Sequence, residues 1–429
     1  MLEKKSLQII TKTFNNNCNS DYTEKIKQLD KSFDYEKNRH NYWCFPEQSI
    51  LYGTPFYQEA SADQKIALNH LYWFIQYSKI ATDEVGTVFF NQLTTSVLAQ
   101  NQDCTTLCQE LDLETVQEKN HIHAFQRIGY LTRKALLGKT ILSYQSNQII
   151  NKNWLNYLYR YSYQFSRFFS QKILGNPSQF LEDYLTKSGK NNNFRLPVEG
   201  LISRLPIVLR IPTAQMLFLQ CGTSGFIASQ FYAIRLIANL MLKNWEYNYV
   251  KFLRTEKKAG RFIPVPTQVS NYHFLDEAFH TTMSRFISQE LYQNKAFAPP
   301  KAYEKMIGNL MIYSTQLNLD GLSAVIPYRF IKDNGFFVKT IFKLMTSSLF
   351  ELSEKDAIYW LEKCFTQEHD GFHLAYKNHQ RLLLNLKQTF ASVDYLWAAN
   401  REMKMASSVR IESAMMSSKK AFQEFSQLV

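Results

Sequence analysis

The chain runs to 429 residues with 45% apolar and 15% aromatic content and only 14 Gly and 11 Pro, a composition that excludes a disordered chain and supplies a large core. The formal net charge of +12 is modest for this length. Its Lys and Arg are interspersed with acids, as in residues 251–261 around Glu256, so a solvated face is favoured over a nucleic-acid stripe. Six scattered cysteines, Cys18, Cys44, Cys104, Cys108, Cys221 and Cys364, include no Cys-x-x-Cys. They read as free thiols rather than a disulfide framework, and a reducing cytoplasmic setting is expected.

Residues 1–60 read as a polar N-terminal extension with one short helix near Tyr22–Lys31. An irregular aromatic lead-in follows over Tyr42–Tyr57, punctuated by Pro46, Gly53 and Pro55. The N-terminus shows no signal-peptide core. Ser61 is a candidate N-cap for a long helix in which Ile66, Leu68, Leu71, Phe74, Ile75, Phe89, Phe90 and Leu93 recur at helical spacing, with Glu84 near its middle. A second helix is predicted over Thr105–Leu137 and a third, rich in Tyr and Phe, over Asn151–Gln171. A long insert of about 140–210 includes a loop at 175–206 with a short helix at 177–187. The most apolar run, Met216–Leu242, is broken by Gln220, Gly222, Ser224, Gly225, Gln230 and Arg235. It reads as a buried helix and not as a membrane span.

Helix is predicted again over Phe226–Lys258, carrying Glu246, and over Thr267–Gln293 after Pro264 and Pro266. Further helices follow at Tyr303–Leu317, Val338–Phe350, Glu354–Phe365 and Leu382–Lys404, ending in a polar tail. No sustained period-two alternation occurs, so the fold class is all-α. One domain is expected, with a bundle over 61–295 and residues 296–429 packed on it as C-terminal helices.

Chemistry concentrates in two Glu-x-x-His quartets, Glu118-Lys119-Asn120-His121 and Glu277-Ala278-Phe279-His280. Residues three apart are neighbours on a helix, and a four-helix bundle that binds two irons takes one such pair from each of two helices and a lone Glu from each of two others. With 23 Glu and 9 His in 429 residues, chance placement gives about half a match (23 × 9/429), so the quartets need support from their surroundings. Glu84 stands thirty-four residues before Glu118 and Glu246 thirty-one before Glu277, so each half repeats lone Glu, hairpin, quartet. His273 adds a third imidazole on the stripe of Glu277 and His280.

The candidate ligands are Glu84, Glu118, His121, Glu246, His273, Glu277 and His280. Four carboxylates would balance two divalent cations, and mixed carboxylate and imidazole donors suit iron, with manganese as the substitute. Three neighbours are candidates to orient the ligands: Asp276 on His121, Gln117 at the matching position of the other half, and Glu114 beside the site. His123 is expected to face away and His70 to be packing or surface. His369, His373 and His379 are weak as a second metal site. Tyr77, Phe89, Phe90, Phe125 and Tyr249 read mainly as core near the ligands. The P-loop, dinucleotide, zinc-protease and nucleophile-elbow signatures are all missing.

The series of lone Glu84, Glu118 with His121, lone Glu246, then His273-Phe274-Leu275-Asp276-Glu277-Ala278-Phe279-His280 resembles the p-aminobenzoate N-oxygenase (AurF-like) family of ferritin-like di-iron oxygenases. The likeness spans about residues 60–295. It implies a ferritin-like bundle with two iron ions, O2 as co-substrate, an external electron donor and oxygenation of a small organic substrate, with N-oxygenation of an aromatic amine leading. C-hydroxylation or desaturation on the same centre, or a non-catalytic metal-binding bundle, are the alternatives. No nucleic acid or membrane span is expected, and a homodimer is compatible with the pattern.

Overall fold

The computed structural model describes residues 4–99, 102–138, 225–293, 336–390 and 411–427. The described residues are helical, without strands. Helices α1 (Lys4–Asn19), α2 (Thr23–Ser32), α3 (Tyr35–Asn38) and α4 (Pro55–Glu59) lead into α5 (Ala62–Leu98) and α6 (Thr105–Leu137). Next come α7 (Gly225–Lys258) and α8 (Val265–Gln293), then α9 (Phe336–Met345), α10 (Glu354–Thr366), α11 (Asp370–Phe390) and α12 (Ile411–Ser426). The expected helices at 151–171, 177–187 and 303–317, the loop at 175–206 and the start of the 216–242 run lie outside the described residues.

Four rods of 29 to 37 residues form the bundle, each about 45–55 Å long at 1.5 Å per residue. α5 packs along α6 and α7 along α8 as two hairpins, which meet through α6–α8 and α5–α7 contacts. Ser61 caps α5 as expected: its hydroxyl accepts from the Gln64 backbone N–H while the Gln64 side chain accepts from the Ser61 backbone N–H. At Gly129 a Cβ would stand 3.1 Å from Phe74 Cδ2, so the bare backbone lets α6 close on α5. Trp73 Nε1 donates to Ser270 Oγ at 3.0 Å, tying α5 to α8.

Two apolar cores lie towards one end of the bundle from the ligand positions. One gathers Trp43, Trp73, Tyr77, Phe125, Ile128 and Tyr249. The other joins Leu68, Leu71 and Phe74 of α5 to Ile341, Leu361, Phe365, Phe372 and Phe425 of the C-terminal helices. Fully burying a side chain such as Phe125 or Phe365 contributes roughly 1.5–3 kcal/mol.

The structure corrects the two ends of the chain. Residues 4–19 are helical despite their polar composition, because Ile10 and Asn17 are buried as α1 packs on α6 and α8. The polar tail forms α12, whose Phe425 enters the second core. The helix expected to begin at Leu382 begins at Asp370, and the one expected to reach Phe350 stops at Met345 before a turn in which Glu351 takes φ 52°. No helix among the described residues is long and apolar enough to cross a membrane.

Candidate metal centre

Glu84 on α5, Glu118 and His121 on α6, Glu246 on α7, and His273, Glu277 and His280 on α8 all project into the bundle, none more than 6% exposed. Two groups of ligand atoms converge, each within 4.8 Å of one another: Glu84, His121, His273 and Glu277, and then Glu118, Glu277 and His280. Glu277 belongs to both, so the two groups adjoin.

Each imidazole turns one nitrogen to this centre and has the other held from behind. His121 Nε2 is 3.0 Å from Asp276 Oδ2, and His280 Nε2 is 3.0 Å from Gln117 Oε1. Both holders are residues that the sequence singled out, each on the helix facing its histidine. His273 Nε2 lies 2.9 Å from Glu84 Oε1, while its Nδ1 lies 2.6 Å from Glu246 Oε1. Glu246, expected as a ligand, falls in neither convergent group; its Oε1 stands behind His273 as Asp276 and Gln117 stand behind the other two, while its Oε2 has no hydrogen-bond partner. Tyr77 Oη donates to the same Glu246 oxygen at 2.7 Å.

Arg235 is the functional residue that sequence reasoning missed. Buried on α7, it donates from Nη1 to Glu114 Oε2 at 2.7 Å and from Nη2 to Glu118 Oε1 at 2.9 Å. The available signal was its position eleven residues before Glu246, about three helical turns, which puts both on one face.

Electrostatics show what this cluster needs. Burial alone would push the three imidazolium pKa values down, but their carboxylate neighbours outweigh it. The hydrogen bond to Asp276 and the nearby Glu118 carboxylate hold His121 up at about 9. Glu246 and Glu84 hold His273 well above its usual range, and Glu277, Glu114 and Glu118 do the same for His280. Glu118 is drawn well below the carboxylate range, against its burial, by His280, His121 and Arg235. Glu84 is raised to about 7 by burial and by the Glu118 charge. The raised imidazoles thus mark an excess of buried negative charge at this centre, which cations would offset.

Several buried polar atoms at the centre have no hydrogen-bond partner, among them His121 Nδ1, Glu84 Oε2 and Glu118 Oε2. His121 Nδ1 stands 3.5 Å from Glu118 Oε2 without a hydrogen bond between them. An orphaned buried carboxylate oxygen costs several kcal/mol unless a cation meets it, so the donor set fits a pair of divalent metals.

The remaining histidines behave as expected. The His123 side chain is exposed and lies 3.0 Å from Asp30. His70 is buried, stacked on Trp43 at a ring separation of 4.0 Å, and burial pushes it down to about 3. His369 meets the Cys364 carbonyl and His373 meets Glu368. Among the described residues the only clusters that could hold a metal are the two at the bundle centre. The five described cysteines are free.

Comparison with known proteins gives one family. A family model described as "Acyl halogenase CylC-like" matches residues 5–426. No curated protein and no solved structure matches.

Proposed function

As the chain belongs to the CylC-like acyl halogenase family, an enzyme family, we propose that it is an O2-dependent dimetal enzyme that places a halogen on the carbon chain of an acyl substrate. The observation that carries the metal part is the buried meeting of three imidazoles with Glu84, Glu118 and Glu277, several of whose inward atoms lack any other partner. The family description supports the halogenation part. It does not single out the amine N-oxygenation expected from the resemblance.

Glu84, His121, His273 and Glu277 would hold one metal, and Glu118, Glu277 and His280 the other; iron suits these donors, with manganese as substitute. Bound there, the pair would supply the redox capacity to use O2. The chain's own residues do the rest. Asp276, Gln117 and Glu246 hold the outer ring nitrogens so that His121 Nδ1, His280 Nδ1 and His273 Nε2 aim inward. Tyr77 keeps its phenolic proton on Glu246, because burial and the Glu246 charge push the phenol pKa well up. Trp73, Tyr77, Phe125 and Tyr249 close one side against water. Overall, R–H, a halide ion and O2, with two electrons from an external donor and three protons, give R–X and two waters.

The test uses purified protein analysed for metal and then supplied with an acyl thioester, chloride or bromide, O2 and a reductant. About two metals per chain and a product with halogen in place of hydrogen, lost in Glu118→Ala, are expected. A hydroxylated acyl product irrespective of halide would favour the runner-up on the same centre. An oxidised amine substrate with no acyl product would favour N-oxygenation, and a protein that takes up no metal would overturn the reading.

A further inference from the structure

The N-terminal helix reaches the metal centre through a chain of side-chain amides. Gln117, whose Oε1 faces His280 Nε2 at 3.0 Å, donates from Nε2 to Asn17 Oδ1 at 2.8 Å and, more distantly, to Asp21 Oδ1 at 3.4 Å. Asn17 Nδ2 in turn donates to Glu110 Oε1 at 2.9 Å and lies 3.3 Å from Gln117 Oε1. Asn17 and Glu110 are fully buried. A side-chain amide has one accepting end and one donating end, whereas an ionised carboxylate only accepts.

That difference gives the chain a direction. Glu110, which burial and the Glu114 charge raise to about 7, is a pure acceptor above that pH and takes the NH2 end of Asn17, which turns the Asn17 carbonyl towards Gln117. There it stands with the Asp21 carboxylate, so two acceptors meet the Gln117 amide and fix its NH2 end on their side. The Gln117 carbonyl is then left facing His280, where it requires a proton on Nε2. With Nε2 protonated, Nδ1 is the nitrogen free for a metal, and Nδ1 is the one turned to Glu277 at 2.8 Å and Glu118 at 3.2 Å. If the Gln117 amide turned over, its NH2 would face Nε2, the ring proton would move to Nδ1, and His280 would present a proton to the metal instead of a lone pair.

We propose that Asn17, backed by Glu110, is a positioning residue of the metal centre: it locks the Gln117 amide so that His280 offers Nδ1 as the ligand. This rests on the dimetal reading above and makes α1 part of the site. About three turns earlier, the Ser6 hydroxyl donates to Glu290 Oε1 at 2.9 Å and holds the same helix to α8.

The experiment titrates metal-free protein with Mn(II), reading free Mn(II) by EPR, with urea midpoints of each metal-free variant as the check on folding. Asn17→Leu removes both ends of the link and is expected to weaken the Glu118, Glu277 and His280 position by about tenfold or more, in the range seen for residues that support metal ligands. Asn17→Asp combined with Glu110→Gln exchanges the donor and acceptor ends between the two residues, still offers only oxygen to Gln117, and is expected to stay within about threefold of wild type. In a Gln117→Glu background the residue facing His280 can only accept, so adding Asn17→Leu is expected to cost no more than about twofold. A residue of merely structural importance would weaken binding equally in both backgrounds, and that result overturns the inference, as does unchanged binding in Asn17→Leu. Should wild-type protein take up no Mn(II) or Fe(II), the dimetal reading falls, and this inference with it; wild-type loading with an indifferent Asn17→Leu sinks the inference alone.

Discussion

Arg235→Met tests the electrostatic account most directly. The substitution keeps an unbranched chain of similar length but leaves Glu114 Oε2 and Glu118 Oε1 without the guanidinium that lies 2.7 and 2.9 Å away. Removing one member of a fully buried ion pair typically costs about 3–5 kcal/mol, chiefly because the other charge is stranded. Glu114 Oε2 is left with only a long contact to Asn91, whereas Glu118 keeps His280 Nδ1 at 3.2 Å, so the metal-free protein should lose about that range. In metal-loaded protein Glu118 would face a cation, so the loss should be smaller. Adding Glu114→Gln removes one stranded charge and should return part of the stability, giving a non-additivity of roughly 1–3 kcal/mol. Urea unfolding followed by circular dichroism, with chelator and with metal, measures all four proteins. A metal-free Arg235→Met within about 0.5 kcal/mol of wild type, or strict additivity in the double variant, would refute the account.

The pH dependence should run in opposite directions for folding and for metal. His121 is raised to about 9 from its ordinary 6.5, so its protonated form stabilises the metal-free fold below pH 6.5, by about 3 kcal/mol for a shift of this size, and that contribution is lost as pH rises through about 9. On the acid side Glu118 and Glu277 are held below the usual carboxylate range, so stability also falls as they are protonated. Metal needs the ring nitrogen without its proton, so Mn(II) affinity should climb between pH 6.5 and 9; a flat profile contradicts the assignment of His121 Nδ1 as a ligand atom. Away from the centre, Gly53 takes φ +78° and a Cβ there would stand 3.0 Å from the Gly371 Cα. Gly53→Ala should therefore cost about 1–3 kcal/mol in urea unfolding and leave metal stoichiometry unchanged, whereas wild-type stability would show that the Gly53 to Gly371 contact relaxes freely.

The bundle was legible because its signals are local and periodic. Ser61 with Gln64, and the proline pair at 264 and 266, delimit helices through chemistry that acts within one turn, and α6 runs over Thr105–Leu137 as expected. The quartets were legible for the same reason, and the residues before each Glu, Gln117 and Asp276, were found because helical spacing fixes which way they point. What escaped depends on partners distant in sequence. Asn17 sits in an Asn triplet that reads as solvent-facing until α6 covers it. Arg235 reads as an interruption of an apolar run until Glu114 and Glu118, more than a hundred residues earlier, neutralise it. Glu246 carries the spacing of a ligand; its Oε1 meets His273 Nδ1, and its Oε2 has no hydrogen-bond partner.

The two central helices aim one another's rings: α6 supplies Gln117 to His280 of α8, and α8 supplies Asp276 to His121 of α6. A single residue inserted upstream in either helix would swing its whole triplet by about 100°, misdirecting its own imidazole and releasing the one opposite. Length variation should consequently be tolerated in the connectors around residues 99–104 and 259–264 and forbidden along these rods. Neither hairpin by itself carries a finished half of the centre, so assembly of the two must come before any cation is captured.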